Sequence, residues 1–254
     1  MEKELFGFFL IFARAGGLFT VFPVLSGRYI PMQIKIALCA ILAFITMTGI
    51  QSAIPYPSGM SAAVLLIFKE YGTGLILGFI CRLSFYAFEL AGHIISQEIG
   101  LNNANIIAPF TDSRTDMPAM ILFYLGGIIF LCLDLHHWMI AGFQKSFQIL
   151  PIGTANLNED AMTTIISKTN LIFTIAILIS APVMVMSFLV TVVFSLLGRA
   201  IPQMNVFLES LVIRPMIGIA VFGLTLNLMA QHLLNFLRRL PEDMLQIAQL
   251  LALR

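Results

Sequence analysis

LIFTIAILISAPVMVMSFLVTVVFSLL, residues Leu171–Leu197, decides the fold. The stretch carries no charged side chain and outruns the ~20 apolar residues that take a helix across a hydrocarbon core. Strands of a membrane barrel alternate apolar and polar side chains over about ten residues. Neither Ile172–Ile179 nor the run Leu122–Leu133 alternates in that way. Five further stretches qualify or nearly do: Leu5–Leu25, Ile34–Ile54, Ala62–Phe88, Ala119–Phe143 and Leu211–Phe236. The reading is an all-α, hydrophobic, multi-helix integral membrane protein. Pro182 is expected to kink its helix, because it removes a backbone donor and clashes with the preceding turn.

Composition supports the same class. Of 254 residues, 59% are apolar and only 11% charged, and the mean hydropathy is +0.96. A soluble domain holds about 45–50% apolar residues even with glycine counted, and about 25% charged. Folding leaves too much surface for a globule of this length to hide such a surplus. A soluble enzyme, a nucleic-acid binder and a disordered regulator are therefore poor readings. Lys plus Arg is 14 against 13 for Asp plus Glu, so no strong field favours a polyanion. Cys39, Cys81 and Cys132 are scattered in apolar runs with no CxxC spacing and read as small hydrophobes. Met1-Glu2-Lys3-Glu4 is acidic where a secretory signal is basic, so the first stretch is expected to stay in the mature protein.

Pro31 opens the second stretch, Ile54–Gly59 forms a turn, and the polar patch Asn156–Asp160 returns to helix near Thr163. Gly74-x-x-x-Gly78 is a small-xxx-small face that suits close helix packing, although glycine is also simply common in membrane helices. With six spans, Lys3, Lys145, Lys168, Arg238, Arg239 and Arg254 fall on one side. Arg28, Lys35, Arg82, Arg114, Arg199 and Arg214 fall on the other. Orientation is not set by so even a split.

Ionisable groups inside apolar stretches are expensive and normally face protein or water. Arg14, Arg82, Glu89, His93, Glu98 and Asp134 are such residues, expected to pack between helices or line a wet interior. Arg82, Glu89 and His93 share one helical face by their spacing, as a proton relay would require. Asp134-Leu135-His136-His137 has the composition of a metal site. Adjacent histidines on a helix point about 100° apart, and Asp134 with His137 makes only two ligands, so no metal is expected. No G-x-S-x-G and no phosphate-binding glycine loop occurs, which leaves no enzyme and no cofactor to propose. The 14 methionines and 22 phenylalanines read as apolar packing.

The local wording goes further than the physics. Ala91-Gly92-His93-Ile94-Ile95-Ser96-Gln97-Glu98-Ile99-Gly100-Leu101 resembles the "AGE-I-S-Q-MGL" helix of the FliR (SctT) family of type III export-gate proteins. Met117-Pro118, Phe130–His137 and Ser146-Phe147 through Leu150-Pro151-Ile152-Gly153 are similar to later elements of that family. Arg199-Ala200-Ile201-Pro202-Gln203-Met204-Asn205-Val206-Phe207 resembles its most specific signature, with Arg199, Pro202, Gln203, Asn205 and Phe207 as the matching positions. Ala13-Arg14, Pro23, Ile30-Pro31 and Lys35 fit its opening pattern. The matches run in order from residue 13 to residue 207. Leu135 and Ser195 stand where the family has glycine, and Ser210 and Val212 replace its later Gly and Pro.

The resemblance implies long, broken helices and helical hairpins, with a FliP-like part over 1–170 joined to a FliQ-like hairpin and C-terminal tail over 171–254, in one export-gate domain. It implies a non-enzymatic pore subunit of the flagellar export gate in the bacterial inner membrane and basal body, through which unfolded export substrates pass. The implied partners are FliP-like and FliQ-like gate subunits, FlhB-like and FlhA-like export components and membrane lipid, with no nucleic acid. It implies a plug in the loop between the "MGL" helix and the next, where Asn103, Ile106, Ile107 and Phe110 stand. The Asn-Val-Phe wording favours the flagellar branch over the injectisome branch. A proton-coupled small-solute transporter using Arg82, Glu89 and His93 is the alternative from another class. An intramembrane metalloenzyme using Asp134, His136 and His137 would require stoichiometric metal.

Overall fold

A computed structural model describes residues 2–23, 30–49, 55, 57, 59–101, 116–201 and 206–252. Among them there are eight α-helices and no strand. In chain order they are α1 Glu2–Val21, α2 Met32–Gly49, α3 Met60–Ile99 and α4 Met117–Cys132, followed by α5 Leu135–Ile149, α6 Glu159–Ala200, α7 Val206–Leu237 and α8 Leu240–Ala252. Each of the six apolar stretches has most of its described residues on these helices. Five helices are long and apolar enough to cross a membrane, or six with the bent pair α4 and α5 taken as one span.

Three expectations need adjusting. The fourth stretch is not one straight helix, because the chain breaks after Cys132 and bends by 71° into α5. Helix α6 starts at Glu159, ahead of Thr163, and Glu159 and Asp160 place negative charge at its amino end, where the helix dipole favours it. It then continues through Pro182 to Ala200 without ending there. The C-terminal tail is itself a helix, α8. Its buried residues Leu240, Met244, Ile247, Ala248 and Leu251 recur at the spacing of one helical face.

The chain forms two compact units. The first holds residues 1–84, 130–169 and 237–254. Its core includes Leu10, Ile11, Leu77, Phe143, Phe147 and Ile247. Here α1 and α3 approach backbone to backbone. A Cβ on Gly74 would overlap the Arg14 carbonyl oxygen, and one on Gly78 would lie 2.7 Å from the Leu18 carbonyl oxygen. On the opposite helix, a Cβ on Gly17 would run into the Tyr71 carbonyl. The Gly74-x-x-x-Gly78 spacing is thus a packing face. The segment before α6 is tied to α8: the Asn156 amide donates to the Leu251 carbonyl at 3.1 Å and Asn158 Nδ2 to the Leu250 carbonyl at 3.2 Å. These bonds satisfy carbonyls that a helix end leaves without partners. Lys168 Nζ meets Asp243 Oδ1 at 2.5 Å.

The second unit holds residues 85–129 and 170–236. Its aromatic cluster joins Phe85 to Phe88 and Phe123 with ring centroids 5.7 and 5.6 Å apart, and Phe88 to Phe236 at 6.3 Å. Helices α6 and α7 run antiparallel here, since Arg214 Nη2 donates to Thr191 Oγ1 at 2.7 Å from nearly equal distances either side of their connection.

The glycine face gives a paired test. Gly74→Ala should destabilise the protein by about 1–3 kcal/mol, as overpacking does. Gly72→Ala meets nothing within 4 Å and should be neutral or stabilising by up to about 1 kcal/mol, since glycine is a poor residue in a helix interior. Unfolding of the two variants side by side in mild detergent measures both.

Candidate functional site

Arg14 and Glu70 are the two charged residues that are fully buried among the described residues. Arg14 lies on α1 three residues before Gly17, on the face that meets α3. Glu70 lies four and eight residues before Gly74 and Gly78, on the facing side of α3. Close backbone approach lets the two side chains meet: Arg14 Nε donates to Glu70 Oε2 at 2.6 Å, and both side chains have 0% exposure.

The rest of the guanidinium is used as fully. Nη1 donates to Ser146 Oγ at 3.4 Å, and Nη1 and Nη2 each donate to the Leu150 carbonyl at 3.2 Å. The guanidinium carbon stands 3.9 Å over the Phe147 ring, a cation–π contact. The second carboxylate oxygen of Glu70 accepts the Gly153 amide at 2.8 Å. Gly153 has φ +84, and a Cβ there would also press on Leu66 at 2.9 Å, so the position needs glycine. The Ala13-Arg14 and Ser146–Gly153 elements, which looked unrelated in sequence, therefore meet at one buried ion pair.

Sequence reasoning named Arg14 and missed Glu70. The available signal was its register with Gly74 and Gly78, which puts an acid on the packing face of an apolar helix.

The other expected residues are distributed. Arg82 and Glu89 are half-buried along α3, and both are engaged in interactions. Helix α3 is unbroken across Arg82, Glu89 and His93, so their common face stands. His93 is exposed; its Nδ1 pairs with Asp116 Oδ2, and Ser96 Oγ donates to Asp116 Oδ1 at 3.1 Å. Glu98 is half-buried, and its backbone carbonyl accepts the Ser187 hydroxyl at 3.0 Å. Both His93 and Asp134 are exposed within this chain. Asp134 sits at the break before α5, where a turn brings it to the surface with its side chain 71% exposed.

Of the signature positions, Arg199 is exposed in the last turn of α6 and Phe207 belongs to the first turn of α7. Pro202, Gln203 and Asn205 lie outside the described residues, as do Asn103, Ile106, Ile107 and Phe110.

Asp134, His136 and His137 do come together. One ligand atom from each lies within 4.8 Å of the others. His137 Nδ1 is 3.5 Å from Asp134 Oδ1, and the two imidazole rings have centroids 4.0 Å apart. The two rings nonetheless lie side by side in the first turn of α5, which follows a left-handed Asp134 with φ 53 and ψ 26.

Removing one partner of a buried ion pair leaves an uncompensated charge and costs about 3–5 kcal/mol. Arg14→Met should therefore abolish stable accumulation of the protein in membranes. Arg14→Met combined with Glu70→Leu should recover more than half of the lost stability, because no buried charge remains. Membrane protein levels and detergent unfolding distinguish the two.

The model of the family described as bacterial export proteins, family 1, matches residues 5–240. The flagellar biosynthetic protein FliR of Bacillus subtilis is 30% identical over 207 residues, which cover 80% of each chain. The FliR proteins of Caulobacter vibrioides and Escherichia coli are 28% and 26% identical. Those matches cover 86% and 91% of this chain, and 87% and 90% of the respective relatives. The helices, the ordered motifs and these matches agree, and the chain belongs to the bacterial export proteins of family 1, in their flagellar FliR branch.

Proposed function

We propose that the protein is a non-enzymatic pore subunit of the flagellar export gate in the bacterial inner membrane and basal body, packed against FliP-like and FliQ-like subunits and served by FlhB-like and FlhA-like components. The observation that carries this reading is a length. Exposed apolar side chains run along α6 from Met162 through Ile166, Phe173, Ile177 and Phe188 to Leu196. At 1.5 Å per residue that stripe is about 51 Å long, whereas the hydrocarbon core is about 30 Å thick. Even a helix tilted by about 40°, the upper end of the usual range, covers only about 39 Å of its length in lipid. At least about two turns of apolar surface are left over, and other protein subunits are its natural cover. A free-standing bundle has no use for that surplus.

In this reading Asn103, Ile106, Ile107 and Phe110 form a dry constriction that keeps ions out while the gate is idle, and unfolded substrates displace it. The support is the family resemblance and the apolar character of three of the four side chains.

A strain lacking the protein should be non-motile and should release no hook or filament subunits into the medium. The protein purified in mild detergent should carry FliP-like and FliQ-like subunits with it. Normal export from the disrupted strain, or a stable monomer that never co-purifies with those subunits, would overturn the proposal. Deleting residues 106–110 should raise the ion conductance of cells bearing the assembled gate. An unchanged conductance removes the constriction from the proposal and leaves the subunit role standing.

A further inference from the structure

We propose that Asp134, His136 and His137 form a binding site for a divalent first-row transition-metal ion. The three side chains sit at the break between α4 and α5, all within the first compact unit. Histidine nitrogens and carboxylate oxygens bind such ions at about 2.0–2.2 Å, so two ligands on one ion lie about 3–4 Å apart. The 3.5 Å between His137 Nδ1 and Asp134 Oδ1 already meets that spacing. All three ligand atoms lie within 4.8 Å of one another, a spread that a small side-chain adjustment closes.

The groups are also uncommitted to the partners that would otherwise hold them. Asp134 occupies the N-cap position of α5, where a carboxylate ordinarily accepts from the exposed amides of the first turn. It makes no such capping bond. His136 Nδ1 is shielded from solvent and has no hydrogen-bond partner, a state that normally costs about 1–3 kcal/mol. Asp134 is, besides, the one non-glycine among the described residues with a positive φ, and this backbone state sets its carboxylate beside the imidazoles rather than over the helix end.

Two imidazoles and a carboxylate suit zinc, cobalt, nickel or ferrous iron. A calcium or magnesium ion prefers an all-oxygen shell, which this cluster lacks. Three ligands leave further coordination positions for water or for a donor from a neighbouring subunit. Asp134 and His137 are each 71% exposed, so an ion reaches them without unfolding anything.

The test uses the full chain, purified in mild detergent with an affinity tag that contains no histidines and stripped with a chelator. Titration with Co²⁺ alone should produce visible d–d absorption that saturates at one equivalent per chain, and Zn²⁺ should displace it. His137→Ala and Asp134→Gly should each weaken binding tenfold or more. Both substitutions are at exposed positions, and glycine accepts the left-handed backbone of Asp134. Circular dichroism of the variants should therefore match the parent. Asp134→Asn, which also tolerates that backbone, serves if the glycine variant loses helicity. Absence of a saturable band, or equal binding by His137→Ala, would overturn the proposal.

Discussion

A guanidinium buried in an apolar chain has to find every one of its partners inside the protein. Burying an ion costs several kcal/mol even after relaxation, and attraction repays that only with excellent geometry and satisfied hydrogen bonds. Arg14 meets both conditions. Its donors reach Glu70, Ser146 and the Leu150 carbonyl, and its face rests on Phe147. The carboxylate in turn holds the Gly153 amide. Three segments far apart in sequence are thereby fixed to one another: α1, α3 and the turn after α5. A lysine would not serve, since one compact ammonium lacks the planar fork that addresses three directions at once.

The glycines follow from that constraint. Arg14 meets Glu70 through Nε, partway along its side chain, a geometry that suits two backbones nearly in contact. Gly17, Gly74 and Gly78 permit this, each standing where a Cβ would strike the opposite backbone. Dispersion and small-residue packing replace the hydrophobic effect between membrane helices. Here they also set the distance at which an electrostatic pair forms, so the packing face and the ion pair are one device.

Much of this was legible in sequence, and the remainder was hidden for identifiable reasons. Apolar runs marked every long helix, because hydropathy over about 20 residues responds to length and polarity. It does not respond to a single left-handed residue, and Leu131-Cys132-Leu133-Asp134-Leu135 reads as continuous while the chain turns at Asp134. Helix α8 escaped for the opposite reason: its apolar residues form a stripe, and the intervening Glu242, Asp243 and Gln246 lower the average. Glu70 was passed over because it lies inside the stretch Ala62–Phe88 next to Lys69, and nothing in hydropathy marks it as half of a buried pair. The functional identity came from motif wording, because apolar surface facing lipid and apolar surface facing another subunit have the same composition.

The even split of basic residues can now be given a physical cause. Assigning each to one side or the other assumes that every apolar stretch crosses once and straight. Helix α3 has 40 residues, about 60 Å at 1.5 Å per residue, twice the ~30 Å core. A helix of that length carries Lys69, Glu70, Arg82, Glu89 and Glu98 at depths that a 30 Å slab cannot contain together. The bent pair α4 and α5 need not exchange sides at all. The positive-inside rule weighs short loops near the ends of true spans, and these helices do not present such ends at regular intervals. The even count of basic residues therefore carries no orientation signal here, and the apolar length beyond one bilayer is where the proposed gate subunits would dock.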